Sequence, residues 1–330
     1  MKAVVAKAVG REAQLETVEL PIPVPQAGQV LIEVRASSLN PIDNVFLRME
    51  LEGMSPELPA VLHGDVAGVI STVGPGVEAF AVGDEVYGCA GGFRGHRGAL
   101  ADYMLADVSL LAPKPASLDF PQAAVLPLVT ITAWEGLIDR ADIQAGQHAL
   151  IHGGCGGVGH VALQIAKAKG ARVATTVSSH AKATIACDLG ADDIINYRQE
   201  SVEQYVERLT GGAGFDIVYD TVGGGVLDQS FRAARKKGQV INILGFNSHD
   251  LSPAFRKGLT LHMENMTLPL LTGAGRAGQG EILRQAADLV EAGKLKPLLD
   301  PHLFTFDQAN EAHALYESRK HVGKIVLTHD

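Results

Sequence analysis

Residues Ala149–Gly159 read ALIHGGCGGVG. Within them Gly154-x-Gly156-x-x-Gly159 directly follows an apolar strand, His148–His152, and directly precedes an apolar-periodic helix, Gly157–Lys169. Strand, glycine turn and helix in this order are half of a βαβ unit, whose crossover forces the next strand to run parallel. Gly154 permits the tight turn, Gly156 lets bare backbone approach a pyrophosphate, and Gly159 allows close helix–strand packing. A helix opening on Gly157 and Val158 offers unpaired N–H groups and a partial positive charge to phosphate oxygens. A turn kept for packing alone would carry the same glycines. The strand and helix in register on either side favour the dinucleotide reading.

Strands and helices keep alternating downstream. Strands are expected at Arg172–Thr176, Ile194–Asn196, Phe215–Tyr219 and Gln239–Leu244, and helices at His180–Leu189, Val202–Leu209 and Leu227–Ala234. This spacing predicts a doubly wound parallel sheet. Upstream the texture differs. Val30–Ala36 alternates apolar and polar residues, Val66–Gly74 and Val82–Tyr87 run into Gly-Pro and Gly-Asp turns, and prolines 21, 23, 25 and 41 break helices. That part reads as β-rich. Pro121–Ile138, nearly uncharged, is expected as one buried helix. Beyond Leu271, Gly280–Ala292 is an amphipathic helix, and Lys324–Leu327 a strand expected to return to the first domain. The chain is therefore α/β with two domains.

Net charge is −9, from 28 basic and 37 acidic residues, with no basic block. That balance argues against nucleic-acid or membrane partners. Cys89, Cys155 and Cys187 form no CxxC pair and no disulfide framework. No signal-peptide run or bilayer-length apolar stretch is present, so a cytoplasmic protein is expected.

The second strand of the unit bears on which dinucleotide is bound. An NAD site usually places Asp or Glu about 20 residues past the fingerprint, on the ribose 2′-hydroxyl. Here the strand ends in Ser178 and Ser179 with Lys182 close behind, and no carboxylate occurs before Asp188. Two hydroxyls and a cation suit a 2′-phosphate, so NADP(H) is expected. The serines also suit a helix cap, and the two roles are compatible.

Several segments together carry a family resemblance: Ser38–Asn44 (SLNPIDN), Leu62–Gly68 (LHGDVAG), Val73–Val77 (VGPGV), Val82–Val86 (VGDEV), the turn at 153–159, Asn196–Arg198 (NYR) and Val322–Leu327 (VGKIVL). In this order along nearly the whole chain, they resemble the medium-chain dehydrogenase/reductases, specifically the zinc-independent quinone oxidoreductase branch. The resemblance implies a GroES-like catalytic domain over residues 1–118, completed by 273–330, and a Rossmann domain over 119–272. It implies that Asn40 lies by the nicotinamide as a hydrogen-bond donor or cofactor positioner, with Asp43 helping to place it. Asn40 also reads as a plain turn residue before Pro41. By the same resemblance Thr132 lies near the nicotinamide, Lys182 and Tyr197 hold the 2′-phosphate, and Val222, Gly245 and Phe246 line the dinucleotide. A homodimer paired through the edge strand near Thr260–Pro269 is likewise implied.

Zinc-bearing relatives use a Cys near the position of Pro41 and a His just before the acidic residue, here Asp65. Gly64 stands at that His position, no cysteine lies between residues 37 and 46, and the four-cysteine block is absent. No metal is expected, and His63 reads as a packed or pocket-lining residue. A chain without those ligands has no Lewis acid at hand to polarise an alcohol. A quinone or α,β-unsaturated carbonyl, already electrophilic, needs less help. Reduction of such a small-molecule acceptor by NADPH is the expected function, with a zinc-type alcohol dehydrogenase or a non-catalytic NADPH-binding protein as alternatives. The loop Gly88–Gly98, holding Arg94, His96 and Arg97, reads either as a lid or pocket wall or as a solvated loop.

Overall fold

The structure, a computed structural model, describes residues Met1–His329. In chain order the elements are β1 (Lys2–Ala6), β2 (Leu15–Glu19), β3 (Gln29–Ser38), α1 (Pro41–Arg48), β4 (Ala60–Val61), β5 (Asp65–Val73), β6 (Glu85–Cys89), β7 (Tyr103–Asp107), β8 (Leu111–Pro113), α2 (Phe120–Ala124) and α3 (Pro127–Trp134). The alternating run follows: β9 (His148–Ile151), α4 (Gly157–Ala168), β10 (Arg172–Val177), α5 (His180–Asp188), β11 (Asp193–Asn196), α6 (Val202–Thr210), β12 (Phe215–Asp220), α7 (Gly225–Ala233), β13 (Ala234–Asn242), α8 (Ser252–Lys257) and β14 (Thr260–Met263). The chain closes with α9 (Leu268–Thr272), α10 (Arg276–Glu291), β15 (Leu299–Thr305), α11 (Ala309–Ser318) and β16 (Lys324–Thr328). No helix among the described residues is long and apolar enough to cross a membrane.

Two compact units divide the chain. The first holds Met1–Ile131, Thr267–Ala292 and Pro297–Asp330, and the second Thr132–Met266 with Gly293–Lys296. The division falls inside α3, not at residue 118, because α2 packs on β3 and β5 of the first unit. In that unit β15-β16-β3-β5-β6-β8 form one sheet, with β7 also on β3, and β2-β1-β4 form a smaller one. β16 returns from the C-terminus and pairs antiparallel with β3, Val326 opposite Ser38. This is the β-rich domain expected from the strand-and-turn texture, and the GroES-like one that the resemblance implies.

The second unit is a Rossmann sheet of order β11-β10-β9-β12-β13-β14, every pair parallel. Its winding reverses between β9 and β12, so the crevice beyond their carboxyl ends is the switch point where such sheets bind ligands. Leu150, Ala174, Val218 and Val240 pack with Tyr205, Phe215 and Phe231 beneath it. β14 lies at the sheet edge.

One local expectation fails, and one of two alternatives is removed, for identifiable reasons. Pro121–Ile138 is not one helix. α2 ends at Ala124 and α3 restarts on Pro127, which lacks an N–H for the preceding turn and clashes with it. Residues Glu135–Arg140 then widen into a π turn. Gly136 permits this close to the sheet, since a Cβ there would lie 2.7 Å from the Tyr219 hydroxyl. The loop Gly88–Gly98 is not a solvated loop. Cys89–Phe93 and Gly98 are buried, Gly98 N–H donates to Val61 O at 2.9 Å, and a Cβ on Gly98 would lie 2.0 Å from Leu62 O. Only its tip, including Arg94, Gly95 and Arg97, is exposed.

Candidate active site

At the switch point the turns after β9 and β12 are tied together. Thr221 Oγ1 donates to His152 O at 2.7 Å, and a Cβ on Gly153 would meet Thr221 Oγ1 at 3.3 Å and Val222 Cγ2 at 3.4 Å. Asp220, fully buried, accepts from the Val222 and Gly223 N–H groups at 2.9 and 2.8 Å and from Asn242 Nδ2 at 3.0 Å. The β13 end joins them where Leu244 packs on Gly223. Tyr219 donates its hydroxyl to Thr132 O at 2.7 Å and so fixes the start of the π turn near the same sheet edge.

The helices starting here differ from their neighbours. α5 and α6, which follow β10 and β11, are capped by Ser179 and Ser201 side chains. α4 and α7, which follow β9 and β12, have Gly156 and Gly224 as N-caps and no side-chain cap. The Gly157, Val158 and Gly159 N–H groups of α4 therefore remain available to an anion at the switch point, whereas in α7 Val226 and Leu227 N–H donate to Gly223 O and Gly224 O at 3.2 and 3.1 Å, leaving Gly225 N–H. Burial holds His152 down at about 4, so its imidazole is neutral at the end of β9.

The three fingerprint glycines do different work. A Cβ on Gly159 would lie 2.1 Å from Gly153 O, and one on Gly154 would lie 2.2 Å from Thr175 Oγ1. Both glycines serve packing. A Cβ on Gly156 would meet only Gly153 O, at 3.2 Å, and Gly156 is exposed, as its assigned role toward a ligand requires. Cys155 is buried in the turn and donates its thiol to Lys182 O at 3.1 Å. Ser179 caps α5 by accepting from Lys182 N–H at 3.3 Å, so the capping reading of that serine holds. Ser178 and the Lys182 side chain are half-buried, while Tyr197, Val222, Gly245 and Phe246 are exposed.

In the first unit Asn40 N-caps α1 with Asp43 as its capping-box partner, and both are buried. Asn40 N–H donates to Asp43 Oδ2 at 2.7 Å, and His63 N–H to Asp43 Oδ1 at 3.1 Å. Asn40 Nδ2 donates to Asp65 Oδ2 at 2.7 Å, and Asn40 Oδ1 accepts from Lys324 Nζ. Lys324 also donates to Leu39 O at 2.8 Å and stands 3.6 Å from Asp65 Oδ2. Ser38 and the Leu128 N–H complete the shell of Asp65 at 2.8 Å each. Burial, chiefly, lowers the Lys324 ammonium below the usual lysine range and pushes the Asp43 carboxyl up to about 7.

A buried histidine pair adjoins this hub. His313 Nδ1 donates to Asn44 Oδ1 at 3.1 Å, because the Asn44 amide donates to Glu317. His313 Nε2 is then the acceptor for His63 Nε2–H at 3.2 Å. Protonating His313 would set two N–H groups head to head. Desolvation holds His63 well below 6.5 and His313 down at about 4. With folded values below the unfolded one, the unfolded chain binds the extra protons. The pair's stabilisation is thus complete above about pH 6.5 and is lost as pH falls toward 4. Asp43, raised, works oppositely: its contribution is present below about pH 4 and fades as pH rises through 7. The thermal midpoint of the wild type should therefore fall more steeply between pH 6.5 and 4.5 than that of His313→Gln. Parallel slopes would refute the assignment.

A family model described as an alcohol dehydrogenase GroES-like domain matches residues 26–116, and one described as a zinc-binding dehydrogenase matches 189–327. The chloroplastic NADPH-dependent alkenal/one oxidoreductase of Arabidopsis thaliana is 33% identical over 93% of this chain and 73% of its own. The quinone oxidoreductase of Sus scrofa is 30% identical over 94% of this chain and 92% of its own. The crystal structure of an alcohol dehydrogenase superfamily protein from Novosphingobium aromaticivorans, at 43% identity, gives a TM-score of 0.95, covering 99% of this chain and 100% of that one. The chain belongs to the medium-chain dehydrogenase/reductase superfamily, in its quinone oxidoreductase-like branch.

This reductase keeps the expected nucleotide residues at one edge of the Rossmann sheet: the glycine turn, Ser178, Ser179 and Tyr197 at strand ends, Lys182 on the first turn of α5, and Val222 beyond β12. No part of Asn40 is exposed, and both polar atoms of its side chain are engaged by Asp65 and Lys324. His63, read as a packed or pocket-lining residue, is fully buried, while the sequence alone assigns no role to Asp65, Lys324 or His313. Lys324 lies within the VGKIVL segment, but nothing local in that segment points to Asn40.

Proposed function

We propose that this reductase transfers hydride from NADPH to a quinone or an α,β-unsaturated carbonyl, without zinc. The observation that carries the reading is the open N-terminus of α4 at the switch point of the sheet. Its free N–H groups at Gly157, Val158 and Gly159 and the bare backbone at Gly156 fit a pyrophosphate. Beyond β10, Lys182 has no carboxylate partner among the described residues and would meet a 2′-phosphate. NADPH, the cofactor named for the Arabidopsis relative, supplies a hydride from its nicotinamide when bound. The chain's residues bind and orient it: the α4 N-terminus takes the pyrophosphate, and Val222, Gly245 and Phe246 flank the strand ends. Thr132, fixed through its carbonyl by Tyr219, stands near the nicotinamide. Asn40 and Asp43 act as positioning residues that lock the start of α1.

The donor set around Asp65 does not fit zinc. Both carboxylate oxygens are taken by Ser38, Asn40 and the Leu128 N–H, and the Lys324 ammonium already balances the charge. His63 Nε2 is spent on His313. A tetrahedral site needs three or four free donors.

Assaying NADPH oxidation against enals, enones and quinones tests the reading. Turnover that favours NADPH over NADH by at least about tenfold in kcat/KM and survives chelation is expected; tenfold corresponds to ~1.4 kcal/mol, one modest phosphate contact. Tight NADPH binding without turnover on any acceptor would point to the non-catalytic alternative, and stoichiometric zinc in active protein to the alcohol dehydrogenase.

A further inference from the structure

The ends of β10 and β11 hold a cation that the reading above leaves without a task. The two strands pair in parallel with Val177 opposite Asn196, and Tyr197 N–H donates to Val177 O at 3.3 Å. Ser178–Ser179 and Tyr197–Arg198 therefore leave neighbouring strand ends at the same level. Asn196 fixes the second end: its side chain accepts from Arg198 N–H at 3.1 Å, and its carbonyl accepts from Gln199 and Glu200 at 2.9 and 3.1 Å. The Arg198 guanidinium lies over the Tyr197 ring, 6.0 Å from its centroid, so the ring orients the cation. A recess of about 400 Å³ opens between the two ends, lined among others by Ser179, His180, Asn196 and Gln199.

Position and charge together set Arg198 apart. Within the Rossmann unit Arg140, Arg172, Arg208, Arg232 and Arg235 each hold a carboxylate. Arg198 and, on α8, Arg256 hold none among the described residues, and of these two Arg198 is the one at the ends of β10 and β11. The acidic group on the wall of the recess, Glu200, is engaged by Arg208 at 2.8 Å, so it does not quench a nearby cation or repel an anion at full strength. Two unpaired cations, Lys182 and Arg198, thus stand at one sheet edge beside two serine hydroxyls and a tyrosine.

We infer that Arg198 is a second specificity-determining cation for the phosphate on the adenosine ribose, acting with Lys182 and oriented by Tyr197. The inference rests on the NADP(H) reading and deepens it. A phosphate monoester carries nearly two negative charges at pH 7, more than one ammonium neutralises. A guanidinium adds a planar fork that can take two phosphate oxygens at once, which a lysine cannot. An unphosphorylated ribose gives that fork nothing to grip, so its effect is confined to NADPH.

Dissociation constants for NADPH and NADH, measured by fluorescence titration on Arg198→Gln, Arg198→Lys and Lys182→Ala at low and moderate salt, test the inference. Arg198 is exposed, so its two variants should keep the wild-type thermal midpoint. Arg198→Gln should weaken NADPH about 5- to 30-fold, the size of one or two charge-assisted hydrogen bonds discounted for exposure, and leave NADH within about twofold. It should also flatten the salt dependence of NADPH binding, and Arg198→Lys should recover part of the loss. Equal losses for the two nucleotides, or no loss for either beside a selective Lys182→Ala, would overturn the role of Arg198 alone. A wild type indifferent to the 2′-phosphate would overturn the NADP(H) reading itself.

Discussion

Alanine at position 159 is expected to abolish nucleotide binding and to destabilise the Rossmann unit by about 3 kcal/mol, the upper range for overpacking a closed site. The added Cβ would lie 2.1 Å from Gly153 O, 2.7 Å from Gly153 C and 3.2 Å from Gly154 Cα. All three are backbone atoms of the turn, so no rotamer change relieves the clash. Either α4 lifts from the turn or the turn opens, and both movements displace the N–H groups on which the pyrophosphate reading depends. The neighbouring glycines grade the effect. Gly154→Ala meets Thr175 Oγ1 at 2.2 Å, and that side chain could rotate only by giving up its 2.7 Å bond to Ile151 O. Gly156→Ala meets a single atom at 3.2 Å and should barely move the thermal midpoint, yet still weaken NADPH by obstructing the backbone's approach to the phosphates. Thermal melts and NADPH titrations on the three variants separate the two roles. A Gly159→Ala protein that bound NADPH within about threefold of wild type would dismantle this account of the turn.

The Rossmann unit was legible because its signals are local. A glycine turn, the period of each helix and the apolar strands between them all lie within short windows, and the observed strands begin or end within a few residues of those read from the sequence. The greatest shift is in β13, expected at Gln239–Leu244 and found at Ala234–Asn242, where the Asn242 side chain accepts from Leu244 N–H and turns the chain. One local signal went unread: Gly223–Gly225 repeats the glycine texture of the first turn and opens α7 without a cap. The GroES-like unit hid its centre for a different reason. Asn40 and Lys324 are 284 residues apart, and His63 and His313 are 250 apart. No periodicity or spacing joins positions that only the return of β16 to β3 and the packing of α11 bring together. The loop Gly88–Gly98 misled in the opposite sense, because its glycines signal close backbone approach to Leu62 and His63 instead of mobility.

Lys324→Met should be the most damaging single change in the first unit, costing about 3–5 kcal/mol and lowering the calorimetric midpoint of that unit by roughly 6–20 °C. Methionine replaces the stem of lysine at little packing cost but removes the ammonium. Asp65 is fully buried, and its carboxylate would then keep only neutral donors: Ser38, Asn40 and the Leu128 N–H. The carbonyls of Leu39 and the Asn40 side chain would each lose a charged donor in the same step. An uncompensated buried charge costs far more than an intact buried pair contributes, because the desolvation already incurred is no longer offset. The loss should therefore be conditional on Asp65. Adding Asp65→Asn to Lys324→Met removes the stranded charge and should recover at least about 1.5 kcal/mol relative to Lys324→Met alone, a coupling expected only between groups in direct contact. Additive losses in that cycle would mean that Lys324 stabilises the unit by packing its stem between β16 and β3, and that its charge is not what holds Asn40 in place.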